Sequence, residues 1–139
     1  MTQEDKNLLL KDLCARLPYG VKVNVIYSNE NASSFRQRVC VEGDNELNTD
    51  IIGLYQCNEI DIRPYLFPLS SMTEEQKREY NKWKHYVPTY HYEYGDIIEE
   101  VELFDSPESF EYLIENHFDY RGLIPKDLAI DSTGLNIYQ

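Results

Sequence analysis

The stretch LLLKDLCARLPYGVKVNVIY, residues 8–27, changes from helical to strand periodicity halfway along. Its first half predicts a helix over residues 4–17, because four leucines recur at helical spacing: Leu9, Leu10, Leu13 and Leu17. Pro18 and Gly20 then end the helix. The second half alternates apolar and polar residues and predicts a half-buried strand whose inner side carries Val21, Val23, Val25 and Tyr27.

Two further strands are predicted soon after the first, over residues 36–42 and 50–57. Three strands so close in sequence favour an antiparallel meander. The next stretch, residues 60–69, contains Pro64 and Pro68. Because a proline restricts its own backbone and that of the preceding residue, we expect this stretch to run extended without regular pairing.

Two helices are predicted in the second half of the chain from their start signals. Thr73 with Gln76, or Ser71 with Glu74, has the spacing of a capping box and opens a helix that runs to about Lys84. Ser106 followed by Pro107 opens the other, with the serine as N-cap and the proline in the first turn.

A β-hairpin is predicted between these helices. Residues 90–94 and 97–104 flank Gly95-Asp96, a two-residue loop of the kind that joins antiparallel strands. Residues 119–139 are expected to be mainly loop. The fold class predicted for the single domain 1–139 is therefore α+β: a small antiparallel sheet, made of a meander and a hairpin, with two or three helices packed on one face.

Length, charge and cysteine content narrow the class of protein. The 139 residues suit one domain, and a net charge of −12 disfavours attraction to nucleic acid or to an anionic membrane. No apolar run approaches the roughly 20 residues that cross a bilayer. Cys14, Cys40 and Cys57 form no paired motif, which is typical of reduced thiols. We expect a cytoplasmic protein, with the oligomeric state open.

Three stretches of the chain resemble a known group of proteins: LLLKDLCARLPYGVK (8–22), IRPYLFPLSSMTEE (62–75) and HFDYRGLI (117–124). Together they are similar to a family of small uncharacterised proteins encoded by prophages and mobile elements of intestinal anaerobic bacteria. The resemblance implies a bacterial or phage cytoplasmic setting. It implies no catalytic residue.

The search for catalytic chemistry yields one alternative function. His91 and Glu93 would lie on the same side of a strand, and two ligands do not complete a metal site. No phosphate-binding glycine motif and no GxSxG nucleophile motif occurs. We predict no metal, no cofactor and no catalytic residue. The alternative is a small hydrolase in which His91 or His117 stands beside a carboxylate or a cysteine in a cleft.

The segment HFDYRG, residues 117–122, admits two interpretations. It combines an imidazole, a carboxylate, a phenol and a guanidinium, as a polar binding cluster would. The favoured interpretation is a helix C-terminus, with Gly122 closing the turn and Asp119 pairing locally with Arg121.

Acidic charge is concentrated in residues 85–120, which contain ten Asp and Glu and no Lys or Arg. The same segment holds nine of the eighteen aromatic residues. A solvated face over a core would account for this pattern. Tyrosines beside carboxylates also suit an interaction surface for a basic protein partner. Seven residues are predicted to bind that partner: Tyr90, Tyr92, Glu93, Asp96, Glu99, Glu100 and Glu102.

The predicted function is therefore a non-enzymatic interaction protein, and a role as accessory or inhibitor of a mobile element would fit the resemblance. In the hairpin's second strand, Ile98, Glu100, Glu102 and Phe104 share the side expected to face solvent. Which residues of the first strand lie beside them depends on the strand register, and the sequence leaves that open.

Overall fold

The computed structural model describes residues 2–27 and 43–138. These residues form two compact units, Met1–Ser71 with His117–Gln139, and Met72–Asn116. The predicted strand at residues 36–42, and Cys40 within it, lie outside the described residues. The chain combines helices with small sheets, so the predicted α+β class is confirmed.

Helix α1, Gln3–Arg16, opens the first unit as its sequence predicts. Thr2 accepts a hydrogen bond from the backbone of Asp5, and the Asp5 side chain accepts one in return, which completes a capping box. A short 3-10 turn, Leu17–Tyr19, follows, and Gly20 adopts a left-handed conformation with φ of 68°. That conformation suits glycine and turns the chain into the sheet.

Five strands build the sheet of the first unit: β1 (Lys22–Tyr27), β2 (Gly43–Glu46), β3 (Ile60–Pro68), β6 (Phe118–Asp119) and β7 (Ile130–Asp131). Strand β1 pairs antiparallel with both β2 and β3, while the two short strands pair parallel with β3. The sheet therefore has β1 and β3 in its interior.

Two predictions for this unit are wrong. Residues 50–57, predicted as a strand, lie mostly in helix α2 (Thr49–Gln56), because Asn48 caps its start by accepting from the Ile51 amide at 2.9 Å. Of residues 60–69, predicted to lack regular pairing, all but the last form β3, the described strand with the most partners. The two prolines do not prevent that pairing, since alternate residues such as Ile60 and Ile62 are buried against the core.

The core of the first unit joins α1, α2 and the sheet. It is a cluster of buried apolar side chains that includes Leu9, Leu13, Val23, Val25, Ile51, Ile52, Tyr55, Ile60, Ile62 and Leu66. Residues 119–139, predicted as loop, also contribute to it through Leu123 and Leu128. Short strands with long connections leave little local signal, which is why β7 was not predicted.

The second unit consists of two helices and a hairpin. Its elements are α3 (Glu74–Lys82), β4 (His85–Glu93), β5 (Asp96–Phe104) and α4 (Pro107–Glu115). Both predicted helix starts are confirmed: Thr73 and Gln76 form a capping box, and Ser106 caps the helix that begins with Pro107. The hairpin is longer than predicted, and its loop is Tyr94-Gly95, not Gly95-Asp96.

Candidate protein-binding surface

The turn at the tip of the hairpin fixes the register of its strands. Tyr94 and Gly95 both have positive φ, 53° and 84°. Two positive values are the mark of a type I′ turn, whose twist matches that of the strands it joins. Glu93 and Asp96 are therefore directly opposite each other, and eight further residue pairs continue the ladder to His85 and Phe104.

This register sorts the side chains into two faces, because residues directly opposite each other share a face and neighbours along a strand do not. One face, here the acidic face, carries four carboxylates: Glu93, Asp96, Glu100 and Glu102. The other, here the tyrosine face, carries Tyr86, Tyr90, Tyr92, Ile97, Val101 and Leu103. The question that the sequence left open is thus answered: His91 and Glu93 share the face of Glu100 and Glu102.

The acidic face has little compensating positive charge. Glu93 stands opposite Asp96, and like charges in that position repel each other. Glu100 and Glu102 stand opposite Thr89 and Val87, neither of which can neutralise them. His91 lies on the same face, and its Nε2 is 3.6 Å from a carboxylate oxygen of Glu93. A cationic group of another molecule would therefore meet carboxylates whose charge the hairpin itself does little to neutralise.

The tyrosine face is unusually exposed for its composition. Tyr90 and Tyr92 are 65% and 79% accessible, and Ile97 and Val101 are 64% and 58% accessible. A contiguous exposed apolar surface of this kind marks interaction sites, and tyrosine is enriched in their centres. Glu99, opposite Tyr90, is the one acid on this face.

The seven predicted binding residues are all on the hairpin, but they do not form one patch. Tyr90, Tyr92 and Glu99 lie on the tyrosine face, and the other four acids lie on the acidic face. The side expected to face solvent is exposed at Glu100, Glu102 and Phe104, with Ile98 half-buried. The opposite side is exposed as well, which periodicity alone did not predict.

Contacts within the second unit hold the base of the hairpin. The Tyr80 hydroxyl donates a hydrogen bond to Asp105, and the Tyr80 ring stacks on that of Tyr112 with 6.3 Å between centroids. Burial and the neighbouring Asp105 carboxylate raise the pKa of Tyr80. The Ser109 hydroxyl donates to the same carboxylate at 3.0 Å. The base is therefore fixed by side chains, while the tip is held by the strand ladder.

Neither histidine of the alternative hydrolase stands in a catalytic arrangement. The 3.6 Å separation between His91 and Glu93 exceeds hydrogen-bond length, and both side chains are about half exposed on an open strand. His117 stacks on Tyr138 with 3.8 Å between ring centroids, and its buried Nδ1 has no hydrogen-bond partner among the described residues. Burial, helped by the charge of Arg16, lowers the pKa of His117 to about 4.

A buried ionic cluster around Asp12 was not predicted. Arg16 donates from Nε to Asp12 at 2.7 Å and from Nη2 to the Phe118 carbonyl at 2.6 Å, and Asp12 and Arg16 are fully buried. Arg121 donates to the other oxygen of Asp12 at 3.1 Å. The four-residue spacing of Asp12 and Arg16 on α1 was the one available signal, since Arg121 is 109 residues away.

This cluster corrects the interpretation of residues 117–122. Arg121 pairs with Asp12 and not with Asp119, whose carboxylate instead accepts from the backbone amides of Leu123 and Ile124 at 2.8 and 2.9 Å. The preceding helix already ends at Glu115, so Gly122 does not close its turn. The segment therefore ties the end of the chain to α1 by buried contacts.

Metal and membrane sites find no support in residues 2–27 and 43–138. No group of three or more His, Cys, Asp or Glu side chains there is arranged to hold a metal ion. Within the same ranges, no helix is both long and apolar enough to span a membrane.

Comparisons of the chain with protein-family models, with curated proteins and with solved structures give no match in any of the three.

Proposed function

We propose that this protein is a non-enzymatic interaction protein that binds a basic protein partner through the β4–β5 hairpin. The observation that carries the proposal is the strand register, which gathers Glu93, Asp96, Glu100 and Glu102 on one exposed face. The hairpin sequence contains no Lys or Arg that would neutralise them. A basic surface is the partner that such a face attracts most strongly.

The energetics of the hairpin support the same proposal. An isolated two-stranded hairpin is only marginally stable in water. The tip of this one is held by the strand ladder, and repulsion between Glu93 and Asp96 weakens it there. A cationic partner converts that repulsion into attraction and also covers apolar tyrosine rings. Binding would therefore stabilise the hairpin as well as join two proteins.

The hydrolase alternative has no comparable observation in its favour. The prophage or mobile-element setting rests on the sequence resemblance and remains a prediction. An accessory or inhibitor role requires the same basic partner, so the binding experiment tests that role first.

The experiment measures binding of a defined probe, an octapeptide of alternating lysine and valine, by fluorescence anisotropy. The variant Glu100→Lys/Glu102→Lys reverses two charges of the acidic face. Exposed charge pairs contribute about 0.2–1 kcal/mol each, so replacing two attractions with two repulsions should weaken binding about tenfold. Affinity should also fall as salt rises, because the Debye length shortens from about 10 Å at 0.1 M to about 3 Å at 1 M.

A matched control separates local charge from total charge. Glu4→Lys/Asp50→Lys changes the net charge by the same amount at two exposed positions in the first unit. This control should retain most of the affinity. Equal losses in both variants, or no loss in either, would contradict binding at the acidic face.

A further inference from the structure

The two outer edges of the hairpin differ in their capacity to accept another strand. In a two-residue turn the flanking pair, Glu93 and Asp96, exchanges backbone hydrogen bonds, and bonded pairs then alternate with non-bonded pairs. The residues of the non-bonded pairs direct their N–H and C=O groups outward. On β4 these are Tyr86, Pro88, Tyr90 and Tyr92, and on β5 they are Ile97, Glu99, Val101 and Leu103.

A proline makes the outer edge of β4 less suitable for adding another strand. Pro88 has no N–H, so the middle of the β4 edge lacks a donor where an added strand would need one. Its partner across the ladder is Val101, which keeps its N–H. The outer edge of β5 therefore presents four consecutive outward donor and acceptor sets, and among the described residues no strand pairs with it.

We propose that β5 accepts a strand of the basic partner at this edge, so that the hairpin becomes a three-stranded sheet. The inference rests on the proposed function and adds the mode of binding. A partner strand with alternating basic and apolar residues would send its cations beside Glu100 and Glu102. Its apolar side chains would lie beside Val101 and Leu103 on the tyrosine face.

Edge addition explains why acids and tyrosines lie on opposite faces of one hairpin. A partner docked flat on either face would use only half of these side chains. A strand in the plane of the sheet contacts both faces at once, because its own side chains alternate. The acidic face, the tyrosine face and the outer edge of β5 are then parts of one binding site.

Repulsion between acidic residues disfavours a second copy of this chain at the β5 edge, whereas a basic strand is attracted to it. Pairing β5 with itself would bring Glu99, Glu100 and Glu102 of one molecule against the same residues of another, and each molecule carries a net charge of −12. Like charges across a strand pair are destabilising. The acids on this edge therefore oppose self-association and admit a cationic strand.

The test combines amide-resolved NMR with a pair of proline variants. On titration with the alternating lysine–valine octapeptide, the amides of Ile97, Glu99, Val101 and Leu103 should gain protection from solvent exchange at least about tenfold above those of Tyr86, Tyr90 and Tyr92. Val101→Pro removes one outward donor without removing a ladder hydrogen bond, and should weaken peptide binding about tenfold or more. Pro88→Val, which restores a donor to the other edge, should retain the affinity of the unchanged protein.

Three outcomes separate the two proposals. Binding that depends on Glu100 and Glu102 but leaves the β5 amides unprotected and tolerates Val101→Pro would overturn edge addition and keep the proposed function. No detectable peptide binding would overturn both. Dimers of the unchanged protein in analytical ultracentrifugation, lost in Val101→Pro, would show that a second copy occupies the edge and overturn the choice of a basic strand. If Val101→Pro loses the NMR signals of β4–β5 pairing, its affinity no longer tests edge addition. The amide protection pattern of the unchanged protein then tests it alone.

Discussion

His117 should make the stability of this protein fall at mildly acidic pH. Its ring is stacked on Tyr138 and lies near Arg16, and burial lowers its pKa from 6.5 to about 4. In the unfolded chain the pKa returns to its ordinary value, so protonation favours unfolding. The stabilisation is complete above about pH 6.5 and is lost as the pH falls from there toward about 4.

The magnitude follows from these two pKa values. Between about pH 7.5 and pH 5 such a histidine loses about 2 kcal/mol of stabilisation. Partial exposure of the ring reduces this to about 1 kcal/mol, which is enough to shift the melting temperature by a few degrees. The assay is urea denaturation at both pH values, and the quantity compared is the change in the free energy of unfolding.

The decisive variant is His117→Asn. The residue has φ of 63°, and asparagine tolerates that left-handed conformation while carrying no titratable group. Between the two pH values, the free energy of unfolding of the variant should fall by about 1 kcal/mol less than that of the unchanged protein. His91→Asn, at an exposed histidine, should behave like the unchanged protein. Equal pH dependence in the unchanged protein and in His117→Asn would show that His117 is not the cause.

Two further predictions concern stability. Asp12→Asn leaves Arg16 and Arg121 without their shared carboxylate and should cost about 3 kcal/mol in denaturant unfolding, whereas a loss under about 1 kcal/mol would mean that the pairing contributes little. Tyr94→Asn puts the residue preferred in a type I′ turn where φ is 53° and should stabilise the hairpin by about 0.5–1 kcal/mol. Hydrogen exchange over residues 85–104 measures the gain, and unchanged protection there would contradict it.

Elements with strong local signals could be predicted from the sequence. The leucine spacing of α1, the alternation of β1 and the capping box at Thr73 each depend on residues a few positions apart. The start of α4 at Pro107 belongs to the same group. Such signals are local, so the sequence contains them in full.

Elements that depend on tertiary contacts could not be predicted in the same way. The apolar run of α2 fits a strand as well as a helix over eight residues, and the cap at Asn48 decided the outcome. Strand β3 contains Pro64, which stands opposite Val23 of β1, and local sequence did not predict that pairing. The hairpin register depended on a left-handed Tyr94, which is rare for a bulky residue.

The concentration of acidic charge located the candidate site, but it did not show which side chains of the site share a face. The absence of Lys and Arg from residues 85–120 identified the acidic segment, and the loop signal at Gly95 predicted the hairpin within it. Periodicity identified which side carries Glu100 and Glu102. Only the register separated Tyr90 and Tyr92 from those acids. The long-range contact between Asp12 and Arg121 had no sequence signal beyond the charges themselves.

The most direct test of binding at the acidic face is a reciprocal charge exchange. Affinities are measured for the unchanged protein and for Glu100→Lys/Glu102→Lys, each with the lysine–valine octapeptide and with its glutamate–valine counterpart. Binding at the acidic face predicts that the unchanged protein prefers the lysine peptide by about tenfold and that the double variant moves this preference toward the glutamate peptide. A double variant that still binds the lysine peptide as tightly as the unchanged protein would contradict it.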